Sequence, residues 1–212
     1  PSRLIADGTL LASGRLDNQV SCWAATSAII ELATYADAPS NTFVIALFDH
    51  EEVGSETTHG AAGPQLEYLL RTLHADDDST FRDRCARSLC VSADNAHSVH
   101  PNYPERHEPG HRPIANAGPV IKSNANQRYA TTSETAAFFE NACRAANVPI
   151  QWFVSRNTMP CGSTIGPIAA TRLGIPTVDV GVAQLSMHSA REMCGALDPD
   201  MLVRALVAVG KK

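Results

Sequence analysis

The sequence predicts an α/β chain, a central mixed β-sheet flanked by helices. Two observations carry this. Strand-like and helix-like stretches alternate from about residue 42 to the C-terminal end. And the run Thr42–Phe48 carries no charge and is mostly β-branched or aromatic, the pattern of a strand buried on both faces. That run leads straight into Asp49-His50-Glu51-Glu52. Adjacent carboxylates at the mouth of a buried strand repel each other and resist desolvation, a conflict that a divalent cation would resolve.

Taken in order, residues 1–16 read as irregular or strand-like, broken by Gly8 and Gly14. A helix is expected over Asn18–Ala36, with Val20, Trp23, Ala24, Ser27 and Ile30 on one side. Asp37–Asn41 is a turn, and the central strand follows. Residues 60–74 carry a second helical stripe of Leu66, Leu69, Leu70 and Leu73, and Asp76-Asp77-Asp78 reads as a solvated loop. A strand over 88–93 ends at Asp94, and the Pro-, His- and Asn-rich stretch 97–116 is a long loop. Residues 119–122 are strand, and Thr131-Thr132-Ser133-Glu134 fits a capping box that opens a helix to about Ala146. Strand over 150–154, helix over 162–173 and strand over 177–182 come next. Asp198 followed by Pro199 reads as an N-cap and first helical residue, opening a helix to about Val209.

The 212 residues can bury a sizeable core, and no linker composition divides residues 1–212. Apolar residues are 44% and charged residues only 18%, so part of the surface is expected to be covered by another domain or subunit. The net charge of −5 argues against a nucleic-acid partner. No apolar run reaches the roughly 18 residues of a membrane span, and no signal peptide is expected. The six cysteines form no C-x-x-C pair; Cys22, Cys90 and Cys143 read as core fillers, which fits a cytoplasmic setting. The first residue is not Met, so the chain is expected to be a processed product or a piece of something longer.

The chemistry gathers at expected strand ends and turns: Asp17, Glu51, Glu52, Asp94 and His188. Such a mixed oxygen and nitrogen set suits zinc, manganese or cobalt. Two metals sharing a carboxylate would generate a nucleophile at neutral pH and polarise a carbonyl. Each residue alone has a plainer reading: Asp17 as a helix cap, His188 as a loop hydrogen-bonder. Cys161 before Gly162-Ser163 raises a cysteine-nucleophile alternative, but no base is identifiable for it. Gly162 reads instead as a point of close backbone approach to a substrate.

Several blocks in this order resemble the aspartyl aminopeptidase family of zinc metallopeptidases. They are Gly14-Arg15-Leu16-Asp17-Asn18, Asp49-His50-Glu51-Glu52-Val53-Gly54-Ser55, Ser92-Ala93-Asp94-Asn95-Ala96-His97, and Met187-His188-Ser189-Ala190-Arg191-Glu192. Gly118–Lys122, Gln127-Arg128-Tyr129 and Pro160–Pro167 also match. The resemblance covers nearly the whole chain. It implies an aminopeptidase that releases N-terminal Asp, then Glu, from peptides. It implies two zinc ions, with Asp17 bridging, Glu52 and His188 on one ion, Asp94 on the other, and Glu51 as general base. Lys122 is the candidate cation for the acidic side chain, with Tyr129 and His100 as donors nearby. His97, His107 and His111 are expected to be loop or substrate-side groups. The resemblance also implies a homo-oligomer, a dodecamer in the family.

The family carries a further histidine in a His-x-Asp block, with an inserted second domain between it and the Asp17 segment. Pro1–Leu16 contains no histidine. The chain is therefore expected to be the C-terminal portion of a catalytic domain. One metal site would be complete and the other incomplete, and a catalytically incomplete fragment or assembly subunit is the alternative reading.

Overall fold

The computed structural model describes residues 1–35, 41–74 and 77–212. Most of the expected turn 37–41 lies outside them, as does Asp76. The architecture is α/β, with the mixed strands divided between two sheets rather than gathered in one. Strands β3 (Cys90–Ala93), β5 (Val120–Ser123), β6 (Gln151–Val154) and β7 (Thr177–Gly181) form a four-stranded sheet in the order β3-β7-β5-β6. β3 runs parallel to β7, β5 parallel to β6, and β5 antiparallel to β7. A five-stranded sheet has the order β1-β2-β9-β8-β4. Its strands are β1 (Arg3–Ile5), β2 (Leu10–Ser13), β4 (Ala96–His97), β8 (Ala183–Leu185) and β9 (Glu192–Gly195).

The helices are α1 (Leu16–Leu32), α2 (Gln65–His74), α3 (Asp78–Ala86), α4 (Ser133–Ala145), α5 (Ile165–Leu173) and α6 (Asp198–Gly210). The core lies where α1, α4 and α6 meet one face of the four-stranded sheet. Leu16, Val20, Ala24, Ala28 and Leu32 of α1 share a cluster with Phe139 of α4, Leu202 and Ala205 of α6, and Ile121, Val178 and Val180 of the sheet. The buried stripe of α1 thus keeps Val20 and Ala24 but not Trp23 or Ile30, which are exposed. Alanines on the inner face admit α6 closely, and the bulkier residues are turned out.

The largest departure concerns Thr42–Phe48. It forms no strand; among the described residues no strand pairs with it. Val44, Ile45 and Leu47 are 38%, 37% and 56% exposed, and only Phe43 packs against the core. The strand that is buried throughout is β7. β7 is central although it carries Asp179, whose buried carboxylate accepts from Ala130 N–H and Thr164 Oγ1, whereas the uncharged Thr42–Phe48 is not. What separates them is that β7 has a hydrogen-bonded neighbour on each edge and Thr42–Phe48 has none.

Smaller corrections have local causes. Asp77 caps α3 by accepting from Thr80 N–H at 2.8 Å, so the acidic run opens a helix rather than a loop. The capping box of α4 is set one residue later than expected, on Thr132 and Thr135. Leu197 is the N-cap of α6; Asp198 turns inward and accepts from the backbone N–H groups of Asn116 and Gly118 at 2.7 and 3.2 Å. In α2, Leu69 and Leu73 remain exposed. Cys85, Cys143 and Cys194 are buried, whereas Cys22 and Cys90 are half-buried.

Candidate metal centre

Four turns deliver the acids and the imidazole to one place. Asp17 follows β2 at the entry of α1, where Asp17 and Asn18 depart from helical dihedrals. Glu51 and Glu52 lie in one 3₁₀ turn, Glu51–Val53. Asp94 follows β3, and His188 sits in the loop between β8 and β9. The Glu51 turn is held by its own loop. Ser55 N–H donates to the His50 carbonyl at 2.9 Å and Ala62 N–H to the Ser55 carbonyl at 3.2 Å. Gly60 passes so near that a Cβ there would lie 2.2 Å from the Ser55 carbonyl oxygen.

His188 Nε2 lies 3.1 Å from Asp17 Oδ2 and 3.2 Å from Glu52 Oε2. One donor atom from each of Asp17, Glu52 and His188 falls within 4.8 Å of the others, the span of a metal triad. These groups line an open depression with Arg15, Ser189 and Glu192. Asp94 meets Asp17 carboxyl to carboxyl and accepts from Lys122 Nζ at 3.4 Å. Burial, reinforced by Asp94 and Glu52, pushes the Asp17 carboxyl up to about 7, against the opposing pull of His188. Glu51 is also raised, first by burial and then by Asp94 and Glu52, with Lys122 and His188 opposing.

The two acid-bearing turns are laced together by the residue after each acid. Asn18 Nδ2 donates to the Ala93 carbonyl at 2.8 Å, and Asn95 Nδ2 donates to the Leu16 carbonyl at 3.0 Å. Asn95 Nδ2 also reaches Gln184 Oε1 at 2.6 Å. Asn18, Asn95, Gln184 and Glu192 were not singled out from the sequence. The repeated Asp-Asn pair at 17–18 and 94–95 is the available signal, and Glu192 closes the family-like block Met187–Glu192; for Gln184 there is none, because only tertiary contact reveals its partner.

Lys122, the expected cation for an acidic side chain, is 2% exposed, with Nζ donating to Asp94 and to the Asn95 carbonyl at 3.2 Å. It lies 5.1 Å from the Tyr129 ring centre, within cation–π range. Tyr129 is buried beside Cys161, and burial followed by that contact raises its phenol well above the ordinary range. The Cys161 side chain thus meets a phenol, the Tyr129 hydroxyl. His100 contacts its own loop: its Nδ1 accepts from Asn102 N–H at 3.1 Å and its ring lies 5.2 Å from Tyr103. His97, expected in a loop, is the last residue of β4, paired with Gln184 of β8, and lies in electrostatic reach of the centre. Desolvation, then His107, Lys122 and His188, lower its pKa, and Asp94 opposes them. At Gly162 an added Cβ would meet no atom within 4 Å, so packing does not require glycine there.

The donor set fits a divalent cation. Asp17, Glu51, Glu52 and Asp94 converge with Lys122 and His188 as the facing cationic or ionisable nitrogens, and the burial of Asp17 penalises its charge. The sign of that penalty can be tested. Asp17 is raised from 3.8 to about 7, so its contribution to the metal-free fold is fully present below pH 3.8 and lost as pH rises through about 7. A cation that needs the carboxylate must displace that proton. We expect calorimetry in buffers of different ionisation heat to show more proton release on zinc binding at pH 6 than at pH 8.5, the difference shrinking in Asp17→Asn. Equal release at both pH values would remove the assignment.

The sequence profile of the family described as aminopeptidase I zinc metalloprotease (M18) matches residues 2–208. A probable M18 family aminopeptidase 2 of Streptomyces coelicolor is 50% identical over 212 residues, covering 98% of this chain and 49% of the relative. The chain thus spans about half the length of the curated relatives it matches. Among solved structures, Ape4 in complex with Nbr1 superposes with a TM-score of 0.95 at 40% identity, over 98% of this chain and 40% of that one. The mApe1 dodecamer of S. cerevisiae superposes with a TM-score of 0.88 at 30% identity, over 99% and 48% of the two chains.

Proposed function

From a chain that belongs to the M18 family of aminopeptidase I zinc metalloproteases, we propose a metallo-aminopeptidase site that releases N-terminal acidic residues, Asp and then Glu, from peptides. The observation that carries the proposal is the convergence of Asp17, Glu52 and His188 within 4.8 Å, with the Asp94 carboxyl against that of Asp17. Asp17, Glu52 and His188 would hold one zinc, and Asp17 and Asp94 would contribute to a second. When bound, zinc polarises the scissile carbonyl and lowers the pKa of water.

Glu51 does the proton work. Its carboxylate takes a proton from the attacking water and returns it to the leaving amine. Burial first, then Asp94 and Glu52, raise its pKa above the ordinary carboxylate range, which makes it a stronger proton acceptor than a free glutamate. Glu52 has a different environment, 3.2 Å from His188, and is the ligand of the pair. Lys122 would face the substrate's acidic side chain. Its ammonium now meets Asp94, so the preference for acidic residues depends on how far Asp94 is drawn toward a metal. The absence of disulfides among the six cysteines accords with a cytoplasmic setting. No helix among the described residues is long and apolar enough to cross a membrane. A homo-oligomeric assembly is proposed from the dodecameric relative.

Zinc content after dialysis, measured on the sample assayed for aspartate release from amino-acyl substrates, tests the reading. For the 212-residue chain we expect one tightly held zinc, because the second site draws only carboxylates, Asp17 and Asp94, from the residues named here. In the longer protein we expect two zinc ions and a preference for Asp over neutral first residues. A neutral preference there would remove the acidic-specificity proposal. No retained zinc in either would remove the metal-site reading.

A further inference from the structure

We infer that Glu192 is a positioning residue that sets the geometry of the Asp17–Glu52–His188 triad by gripping the backbone of two of its members. The inference rests on the metal-site reading above. Glu192 opens β9 and pairs across to Ser13 of β2. The chain leaving β2 carries Asp17, and the loop entering β9 carries His188, so Glu192 stands between the two ligand-bearing segments. Its side chain is 2% exposed. Oε2 accepts from Asp17 N–H at 3.0 Å, and Oε1 accepts from His188 N–H at 2.8 Å. Both oxygens are therefore engaged with backbone, which separates Glu192 from the ligand acids although it lines the same depression.

Each of those N–H groups needs such an acceptor. Asp17 lies in the opening turn of α1, where N–H groups have no intrahelical partner, and its own dihedrals are non-helical. His188 has φ of 65°, a left-handed conformation unfavourable for a residue with a Cβ, and the bond to Glu192 helps hold it there. The segments are pressed together beside this bridge: a Cβ on Gly14 would lie 3.3 Å from the Ala190 carbonyl oxygen. A carboxylate accepting two backbone N–H groups makes charge-assisted bonds, stronger than an amide would make. Metal sites depend on partners that orient the ligands, and removing one commonly costs about 10–100-fold in affinity.

The test uses the full-length protein. Glu192→Gln keeps the shape but sets an NH₂ against one of the two N–H donors. Glu192→Asp keeps the charge but is one methylene too short to span both, and it carries the same test if the glutamine variant does not fold. We expect either variant to bind zinc about 10–100-fold more weakly in competition with a chromophoric chelator. Without metal, hydrogen exchange should quicken at Asp17 and His188 while the protection of β7 and α6 is unchanged. Saturating zinc should return kcat toward the parent value with little change in KM. Parent-like zinc affinity, or loss of protection spread through the whole five-stranded sheet with affinity intact, would show Glu192 to be merely structural. His188→Ala separates the two levels. If it keeps parent affinity, the triad reading itself fails; if it loses zinc and the Glu192 variants do not, only the present inference fails.

Discussion

Glu51→Gln is expected to lower kcat by about 10²–10⁴-fold, the usual worth of a positioned general base. Zinc content should not change, because the triad groups Glu52, and not Glu51, with Asp17 and His188. The adjacent carboxylates look equivalent in the sequence. Their environments separate them: Glu51 is half-buried with a raised pKa, whereas the Glu52 side chain is 56% exposed and 3.2 Å from His188. Glu52→Gln should therefore show the opposite signature, a loss of zinc that excess metal partly reverses. Steady-state kinetics with elemental analysis of each variant decides the matter. Activity of Glu51→Gln within about threefold of the parent would take the base role away from it.

Leu202→Ala should destabilise the 212-residue chain by about 2–5 kcal/mol in urea unfolding, the range for removing a fully buried leucine. Leu202 is 0% exposed in α6, in the cluster that joins α1, α4 and the four-stranded sheet. Leu47→Ala should change stability by no more than about 0.5 kcal/mol, as an exposed position does. Leu47 belongs to the run with the stronger sequence claim to the core, yet it is 56% exposed. Comparable losses for the two variants would mean that Thr42–Phe48 is packed after all.

That contrast marks where sequence reading reached its limit. The α/β class, the helices over Ser133–Ala145 and Asp198–Gly210, and the strands β5, β6 and β7 were legible from periodicity and turn residues. The pairing of strands was not. Thr42–Phe48 has the more apolar pattern and β7 carries Asp179, yet β7 is the paired and buried strand; a pattern records the need for neighbours without supplying them. The matched relatives are about twice as long as this chain, which leaves room for partners of Thr42–Phe48 in a longer protein. β8 is three residues, too short for a pattern to stand out, and β9 is no shorter than β5 or β6 but opens on a glutamate and has no β-branched residue; the loop between them carries His188. Asp198 was read as a cap from its place before Pro199, but its carboxylate is turned to Asn116 and Gly118.

The ionisable residues of the centre could be collected from the sequence alone, because Asp17, Glu51, Glu52, Asp94 and His188 stand at turns where acids and imidazole have no local structural task. Their division of labour could not. Which glutamate meets His188, which aspartate lies between the other groups, and which acid is spent on backbone N–H groups all depend on segments up to 175 residues apart. Chemical type is a local property of the chain. Distance, burial and hydrogen-bond partner belong to the folded structure, and these distinguish Glu51, Glu52 and Glu192 from one another.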